Sequence, residues 1–198
     1  MAEFCTLADM EALLQVTVPA EKLASATAAI VEARAAIQAY TGQVLEAVED
    51  DEISFDGAGG VRILLPELPV TEVATVLEDD EALVVDDDYK LGQHGILHRI
   101  GGRWASGVQN IVVTYSHGYA TIPQIIADVC ARAAARRYQA GLRASESDAV
   151  PGVQAKSLGD FSVTFAGEGG GAGEGTLGAS AAPMLLRSEK ESLDRFRV

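Results

Sequence analysis

Residues 110–141, NIVVTYSHGYATIPQIIADVCARAAARRYQAG, decide the fold of this chain. The run Ile111–Tyr115 is β-branched and aromatic, which predicts a strand. His117-Gly118 interrupts that run, because glycine adopts backbone angles that other residues resist. An amphipathic helix is predicted next. A strand, a tight turn and a helix therefore follow one another closely, and we expect both flanks of the chain to pack on this unit.

The predicted helix has recognisable ends. Thr121 and Gln124 have the spacing of a capping box, Pro123 falls in the first turn, and Gly141 is the predicted stop. Its apolar positions recur at helical spacing and define one face. They are Ile122, Ile125, Ile126, Val129, Ala133 and Tyr138.

Composition limits the functional classes. The chain has 198 residues, 48% of them hydrophobic, and a formal net charge of −14. That charge argues against a surface that grips nucleic acid, which normally carries a basic patch. Cys5 and Cys130 do not suggest a disulfide framework, and we interpret Cys130 as a small buried hydrophobic residue. Without a signal pattern or a membrane-length apolar run, we expect a soluble protein made in the cytoplasm.

Before the central unit, residues 1–43 are predicted to supply the amino-terminal helices of a bundle. A short helix spans residues 6–15, with Thr6 and Asp9 as its start signal, and a longer one spans residues 19–40 and ends at Gly42. The apolar positions of the longer helix should pack on the central helix. They are Leu23, Ala26, Ile30, Ala33, Ile37 and Tyr40.

Residues 44–115 form a β insertion. Short apolar runs alternate with glycine, proline and aspartate turn signals, which is typical of a small antiparallel region. The insertion is very acidic, because 15 Asp and Glu side chains lie between Glu46 and Asp88 against one basic residue, Arg62.

Residues 116–143 contain the central bundle helix, and residues 144–198 form an extended carboxyl-terminal arm. Within the arm, residues 144–157 are predicted to be loop-like, residues 158–165 a strand, and residues 167–178 a flexible Gly-rich linker. The linker contains the dinucleotide-type pattern Gly173–Gly178, but Glu168 and Glu174 would repel a phosphate.

Candidate chemistry is sparse. His94 and His98 have a metal-ligand spacing only on a helix; in the extended chain expected here they lie roughly 13 Å apart. Ser116-His117 lacks an identifiable third group, and Asp86–Asp88 lacks the spaced oxygen donors of a calcium loop. We therefore predict no catalytic residue, metal site or cofactor.

Short motifs in a fixed order are more specific than any single residue. They are Ala36–Gly42 (AIQAYTG), Leu65–Val73 (LPELPVTEV), Asp88–Leu91 (DYKL), Gly95–Leu97, Arg103-Trp104, Val112–Tyr115, Gly118-Tyr119 and Ile122-Pro123. In this order, over residues 6–141, the chain resembles the head–tail connector (adaptor) proteins of long-tailed double-stranded DNA bacteriophages.

The resemblance implies an α+β fold: a small helical bundle with an inserted acidic antiparallel β region and a carboxyl-terminal arm. It implies a structural, non-enzymatic protein of the virion neck that forms a ring, a 12-mer, below the portal. The implied partners are further copies of the chain, the portal protein, and the next connector, stopper or tail protein. DNA passes through the ring without sequence-specific binding, and no membrane is involved.

Two sets of residues follow as candidate sites. An acidic wall would repel DNA phosphates, so we predict that acidic side chains of the insertion line the channel, with plain solubility as the alternative. The channel candidates are Glu49, Asp50, Asp51, Glu52, Asp79, Asp80 and Glu81. The carboxyl-terminal segment is predicted to be a portal-docking arm, with a helix folded onto its own subunit as the alternative. The docking candidates are Leu185, Leu186, Arg187, Leu193 and Phe196.

Two other functional classes stay open at this stage. One is a small soluble enzyme or ligand-binding α+β domain, which a convergent His, Asp and Glu pocket would favour. The other is a packaging factor that binds DNA directly, which salt-dependent DNA retention would favour.

Overall fold

The computed structural model describes residues 4–146, 155–158, 161–164 and 183–197. Helices and antiparallel strands occur together, so the predicted α+β class is confirmed. The helices are α1 (Leu7–Leu14), α2 (Leu23–Thr41), α3 (Gln124–Glu146) and α4 (Arg187–Leu193), with 3-10 turns at Ala20–Lys22, Gln93–Gly95 and Asp194–Phe196.

The strands form two sheets and a hairpin. They are β1 (Val48–Ala58), β2 (Arg62–Leu64), β3 (Val70–Glu78), β4 (Glu81–Ala82), β5 (Tyr89–Leu91), β6 (Ile96–Arg99), β7 (Ser106–His117), β8 (Ala155–Leu158) and β9 (Phe161–Thr164). One sheet has the order β1-β7-β3-β4 and the other β2-β6-β5, while β8 pairs with β9. All of these strand pairs are antiparallel.

The helices share one core. We call the unit that they form the helical module; it comprises residues 4–43, 121–146 and 183–197. Alanines along α2 and α3 let these two helices approach closely, and Ile37 and Ile126 between them are fully buried. The predicted apolar face of α3 is confirmed, since Ile122, Val129, Ala133 and Tyr138 are buried and Ile125 is half-buried. On α2 the predicted stripe is buried at Ala26, Ala33 and Ile37, but Leu23 at its start is exposed.

Residues 44–120 have a separate core, and we call them the β lobe. Its two sheets share one core, which contains the larger buried side chains Trp104 and Tyr115 and the β-branched Val76, Ile111 and Val113. Side chains alternate along β7 between this core and the outer face, as the period of two in a strand requires.

The two units meet where β7 turns toward α3. Gly118 has φ +87° there, and a Cβ atom at this position would lie 2.1 Å from the carbonyl oxygen of Glu46, so only glycine fits. The Glu46 carboxylate is buried at this junction, where it forms an ion pair with Arg34 and accepts a hydrogen bond from the Gln38 amide, both on α2. From the predicted LPELP motif, Glu67 accepts a hydrogen bond from the Val44 backbone N–H at 2.8 Å.

Several predicted boundaries are wrong. Strand β7 starts at Ser106, five residues before the β-branched run, because its partner β1 is also long. Helix α3 continues through Gly141 to Glu146. Pro123 precedes the helix, and the Gln124 amide donates to Asp128 Oδ1 at 2.8 Å rather than reaching back to Thr121.

At the amino terminus the predicted helix start is confirmed. Thr6 caps α1 in a reciprocal box with Asp9, and Gly42 ends α2 with φ +73°. The single strand predicted at 158–165 is instead the hairpin β8–β9, which also replaces part of the predicted loop at 144–157. The predicted linker at 167–178 lies outside the described residues.

Candidate functional site

The outer face of the four-stranded sheet carries an acidic surface. Glu52 on β1 lies opposite Thr114 on β7, which lies opposite Thr75 on β3, and all these positions face away from the lobe core. Exposed carboxylates lie along the same face or its bulged end. We call them the acidic face: Glu49, Asp50, Glu52, Asp56 and Glu72.

The charges of this face are not neutralised within the subunit. Among the described residues, no basic side chain lies within ion-pair distance of Glu49, Glu52 or Glu72. Asp50 sits in a β-bulge with φ +52°, and its backbone N–H donates to Ser116 Oγ at 3.3 Å. The bulge exposes two consecutive acidic side chains, Glu49 and Asp50, which regular alternation would place on opposite faces.

The predicted channel residues fall into two groups rather than one patch. Glu49–Glu52 lie at the end of β1 near the helical module, whereas Asp79–Glu81 form the β3–β4 turn at the far end of β3. Asp79 and Asp80 have φ values of +51° and +67°, as a tight hairpin turn requires. The predicted channel residues were chosen because they are acidic and lie in the same insertion, and these two properties did not predict which of them share a surface.

Asp51 differs from its acidic neighbours because it lies beside a buried histidine. Its Oδ2 lies 3.3 Å from Nε2 of His117, a side chain that is 2% exposed. The His117 ring packs on Tyr115, whose pKa burial raises to about 12, so that phenol stays neutral at physiological pH. Asp51 therefore belongs to the junction, not to the acidic face.

Asp51 is the third group that could orient His117 beside Ser116, and the sequence alone did not reveal it. The arrangement still does not form a nucleophile and base, because neighbouring residues of a strand point to opposite faces. Ser116 Oγ accepts from the Asp50 backbone on one face, while His117 is buried on the other. A hydroxyl activated by His117 is therefore not available at this site.

The other histidines are positioned by the three-stranded sheet. His94 lies in the 3-10 turn before β6 with φ +59°, so the extended chain predicted at this position is wrong, and His98 lies within β6. In the part of the chain that the structure describes, no three His, Cys, Asp or Glu side chains are grouped to hold a metal ion. Asp86–Asp88 form a turn in which Asp88 accepts from the Val84 backbone N–H.

Arg99 is a structural residue that sequence reasoning missed. Its guanidinium lies 3.1 Å from Glu78 and 3.3 Å from Asp88, and it packs on the Trp104 ring. Glu78 also accepts from the Ala105 backbone N–H at 2.7 Å. Arg99 thus joins the two sheets, and a single arginine at the end of an apolar strand was the signal that could have identified it.

The carboxyl-terminal segment 183–197 packs on its own subunit. Leu185 and Leu193 are buried against α2 and α3, and Phe196 contacts Tyr119 edge-on. Arg136 of α3 donates to both oxygens of the buried Glu189, at 2.7 and 2.6 Å, and to the Met184 carbonyl.

This arrangement matches the alternative of a helix folded onto its own subunit. Leu185 and Leu193 are occupied by intramolecular packing, while Leu186 is 42% exposed and the Arg187 side chain is 94% exposed. A portal contact in this conformation is therefore open to Leu186 and Arg187 but not to Leu185 or Leu193.

Within the described ranges, no helix is both long and apolar enough to cross a lipid bilayer.

Comparison with known proteins gives a family and a fold. A family model described as head completion protein matches residues 3–132. No curated protein sequence matches the chain.

The fold is similar to three solved chains of gene transfer agent (GTA) particles. One comes from the neck of the empty particle computed with C6 symmetry, with a TM-score of 0.51 and 15% identity over 88% of this chain and 78% of that one. A second, from the neck of the native particle computed with C12 symmetry, has a TM-score of 0.51 and 15% identity over 88% and 82%. A third, from the native virion, has a TM-score of 0.53 and 17% identity over 76% and 86%.

Proposed function

The chain belongs to the head completion protein family, and on that premise we propose that it is a structural protein of a phage-type head–tail neck. In this role it forms a ring below the portal, and DNA passes through the ring during packaging and ejection. The observation that carries the proposal is the family match over residues 3–132, which agrees with the resemblance of the sequence motifs to head–tail connectors. The protein acts by assembly and not by catalysis.

A closed ring needs heterologous contacts between copies, in which one surface of a subunit meets a different surface of the next. The charge distribution supports such a contact. The β lobe has 15 acidic and four basic residues, whereas the helical module has nine acidic and ten basic residues. A module close to electrical balance can approach the acidic lobe of a neighbour without the repulsion that two lobes would meet. Twelve copies agree with the C12 symmetry imposed on a neck of similar fold.

We propose that the acidic face lines the channel. Among the described residues its carboxylates have no paired cation, so their field extends into solvent over about one Debye length, roughly 8 Å at physiological salt. DNA carries one negative charge per phosphate, and a channel wall of the same sign lets it slide without adhering. In this proposal the set is Glu49, Asp50, Glu52, Asp56 and Glu72, which retains three of the residues predicted from the sequence.

The partners proposed above and below the ring are the portal and the next connector, stopper or tail protein. For the portal contact we propose the exposed start of α4, Leu186 and Arg187, with the buried leucines acting as its anchor. The protein is located in the virion neck.

Electron microscopy of the purified full-length protein, alone and mixed with portal, tests the proposal. We expect rings in the portal mixture, with density for the β lobe nearest the axis. A protein that stays monomeric with portal at micromolar concentration contradicts the connector role. A ring with the acidic face outermost contradicts the channel assignment alone.

A DNA-retention assay separates this function from a packaging factor that binds DNA. We expect the chain to pass through a duplex-DNA column at physiological salt without delay. Retention that weakens steeply as salt rises would favour the DNA-binding alternative.

A further inference from the structure

The two cysteines of the chain meet inside the helical module. Cys5 precedes α1, Cys130 lies in the middle of α3, and their Sγ atoms are 3.0 Å apart although 125 residues separate them in sequence. Both side chains are buried, Cys130 completely and Cys5 with 6% exposure. A disulfide requires an Sγ–Sγ distance of about 2.05 Å, so a displacement of roughly 1 Å brings the two atoms to bonding distance.

Only one of the two cysteines lies at a solvent-accessible cleft. Cys5 lines an open cleft of about 560 Å³ between α1 and α3, whose rim includes Thr6, Gln124 and Asp128. The pKa of the Cys130 thiol is raised by the hydrogen bond with Cys5 and by burial, so Cys130 is protonated at physiological pH. A dissolved oxidant therefore meets Cys5 first, and Cys130 is placed to react with the product.

We propose that Cys5 and Cys130 are a modification site: a thiol pair in the reducing host cytoplasm that becomes an intramolecular disulfide in an oxidising medium. The oxidant is a low-molecular-weight disulfide such as glutathione disulfide. The Cys5 thiolate attacks one of its sulfurs, forms a mixed disulfide and releases one glutathione thiol. Cys130, on losing its proton, attacks the Cys5 sulfur, forms the internal S–S bond and releases the second glutathione. Two protein thiols are oxidised and one glutathione disulfide is reduced.

The cross-link would fix the amino-terminal segment and α1 to α3. These elements otherwise pack on α3 through the apolar core of the helical module. Closing a loop of this length removes much conformational freedom from the unfolded chain, so the oxidised protein should be the more stable form. A particle assembled in a reducing cell would gain this stability after release. The thiol chemistry rests on the geometry of one subunit and does not depend on the ring proposal, whereas the gain in stability after release rests on the proposed neck function.

Equilibration of the full-length protein with glutathione redox buffers tests the site. After acid quenching, we expect a chain lighter by two hydrogen atoms, a Cys5–Cys130 cross-linked peptide, and no intermolecular dimer. The folded chain should form this disulfide on the order of 100-fold more favourably than the same chain in concentrated urea. The melting temperature should rise by about 10 °C on oxidation and return on reduction.

Cys5→Ser is the matched control, because it removes the thiol of the cysteine that lines the cleft and leaves Cys130 in place. Its melting temperature should be the same in oxidising and reducing buffers. Equal disulfide formation in folded and urea-unfolded chains overturns the proposal, as do glutathione adducts without the internal cross-link. An oxidant-dependent rise in Cys5→Ser would show that another change causes the stabilisation and would also overturn it.

Discussion

The helical module and the β lobe use charge in opposite ways. In the helical module, acidic and basic residues are nearly equal in number, and several form ion pairs within the subunit, such as Arg136 with Glu189 and Arg137 with Glu32. In the β lobe, acidic residues outnumber basic ones by 15 to four, and within the described ranges no basic side chain pairs with the acidic face. Charges in the first unit therefore help to hold the fold, whereas the carboxylates of the acidic face form no ion pair with the described residues.

The cores of the two units are also filled by different kinds of side chain. Alanine dominates the contact between α2 and α3, so the helical module depends on close approach and on a few larger side chains such as Ile37 and Ile126. The β lobe is filled by large and β-branched residues around Trp104 and by the Arg99 ion pairs between its sheets. Each unit therefore has its own internal support, and a surface change in one should not propagate into the other.

The largest expected effect is the loss of the helical module on replacing Ile126→Asp. Ile126 is fully buried between helices, and an unpaired carboxylate at that position costs several kcal/mol, a large share of the stability of a domain. Thermal melts followed by circular dichroism should show a collapse of helical signal well below the wild-type transition. The control is Gln139→Asp, which adds the same carboxylate at an exposed position of α3. Equal melting temperatures for the two variants would contradict the helix packing.

A smaller but clear effect is expected from Arg136→Met. The substitution keeps most of the side-chain volume but leaves the buried Glu189 carboxylate without its cation, which costs about 3 kcal/mol. We expect a lower melting temperature and earlier proteolysis near α4. The control is Arg187→Met, which removes an exposed arginine whose pair with Glu191 contributes little. If the two variants behave alike, α4 does not dock on its own subunit in solution.

The helical module was largely predictable from sequence, because its signals are local. The capping box at Thr6, the glycine after α2 and the spacing of apolar residues on α3 each act within a few residues. The β lobe was predictable only as a class. Pairing of β1 with β7 and of β3 with β7 joins residues far apart in the chain, and no local pattern determines that order.

The candidate site was predictable in its composition but not in its geometry. The abundance of Asp and Glu indicated an acidic surface, yet the bulge at Asp50 and the pairing of Asp51 with His117 decide which carboxylates belong to it. The contact between Cys5 and Cys130 was missed for the same reason, since it depends on how α1 packs against α3.

A modest effect is expected from Thr6→Ala at the start of α1. Loss of this cap should cost about 1 kcal/mol, as for other helix N-caps.

Backbone and side-chain hydrogen bonds from Thr6 lower the pKa of Asp9 below 3.8. The contribution of these hydrogen bonds to stability is therefore complete at neutral pH and is lost as the pH falls through that lowered pKa. Wild type should therefore lose its advantage over Asp9→Asn in acid melts. A gap between them that is constant down to pH values below the pKa would contradict the capping role of the charge.

The smallest expected effect on stability comes from the acidic face, and it is the sharpest test of the contrast between the two units. Replacing Glu49, Glu52 and Glu72 together by glutamine removes three negative charges at exposed positions that form no ion pair in the described part of the chain. Because no ion pair is broken and like-charge repulsion is relieved, the melting temperature should be unchanged or slightly higher. The change in the free energy of unfolding should stay within about 0.5 kcal/mol per site.

Glu78→Gln provides the control within the same lobe. It keeps the shape of the side chain but weakens the contacts with Arg99 and the Ala105 N–H, and it should cost about 1–3 kcal/mol. A triple variant as unstable as Glu78→Gln would mean that the acidic face supports the fold, and its charge would then need no external purpose. A triple variant of wild-type stability whose assembled rings begin to retain duplex DNA at low salt would assign that charge to the repulsion of phosphates.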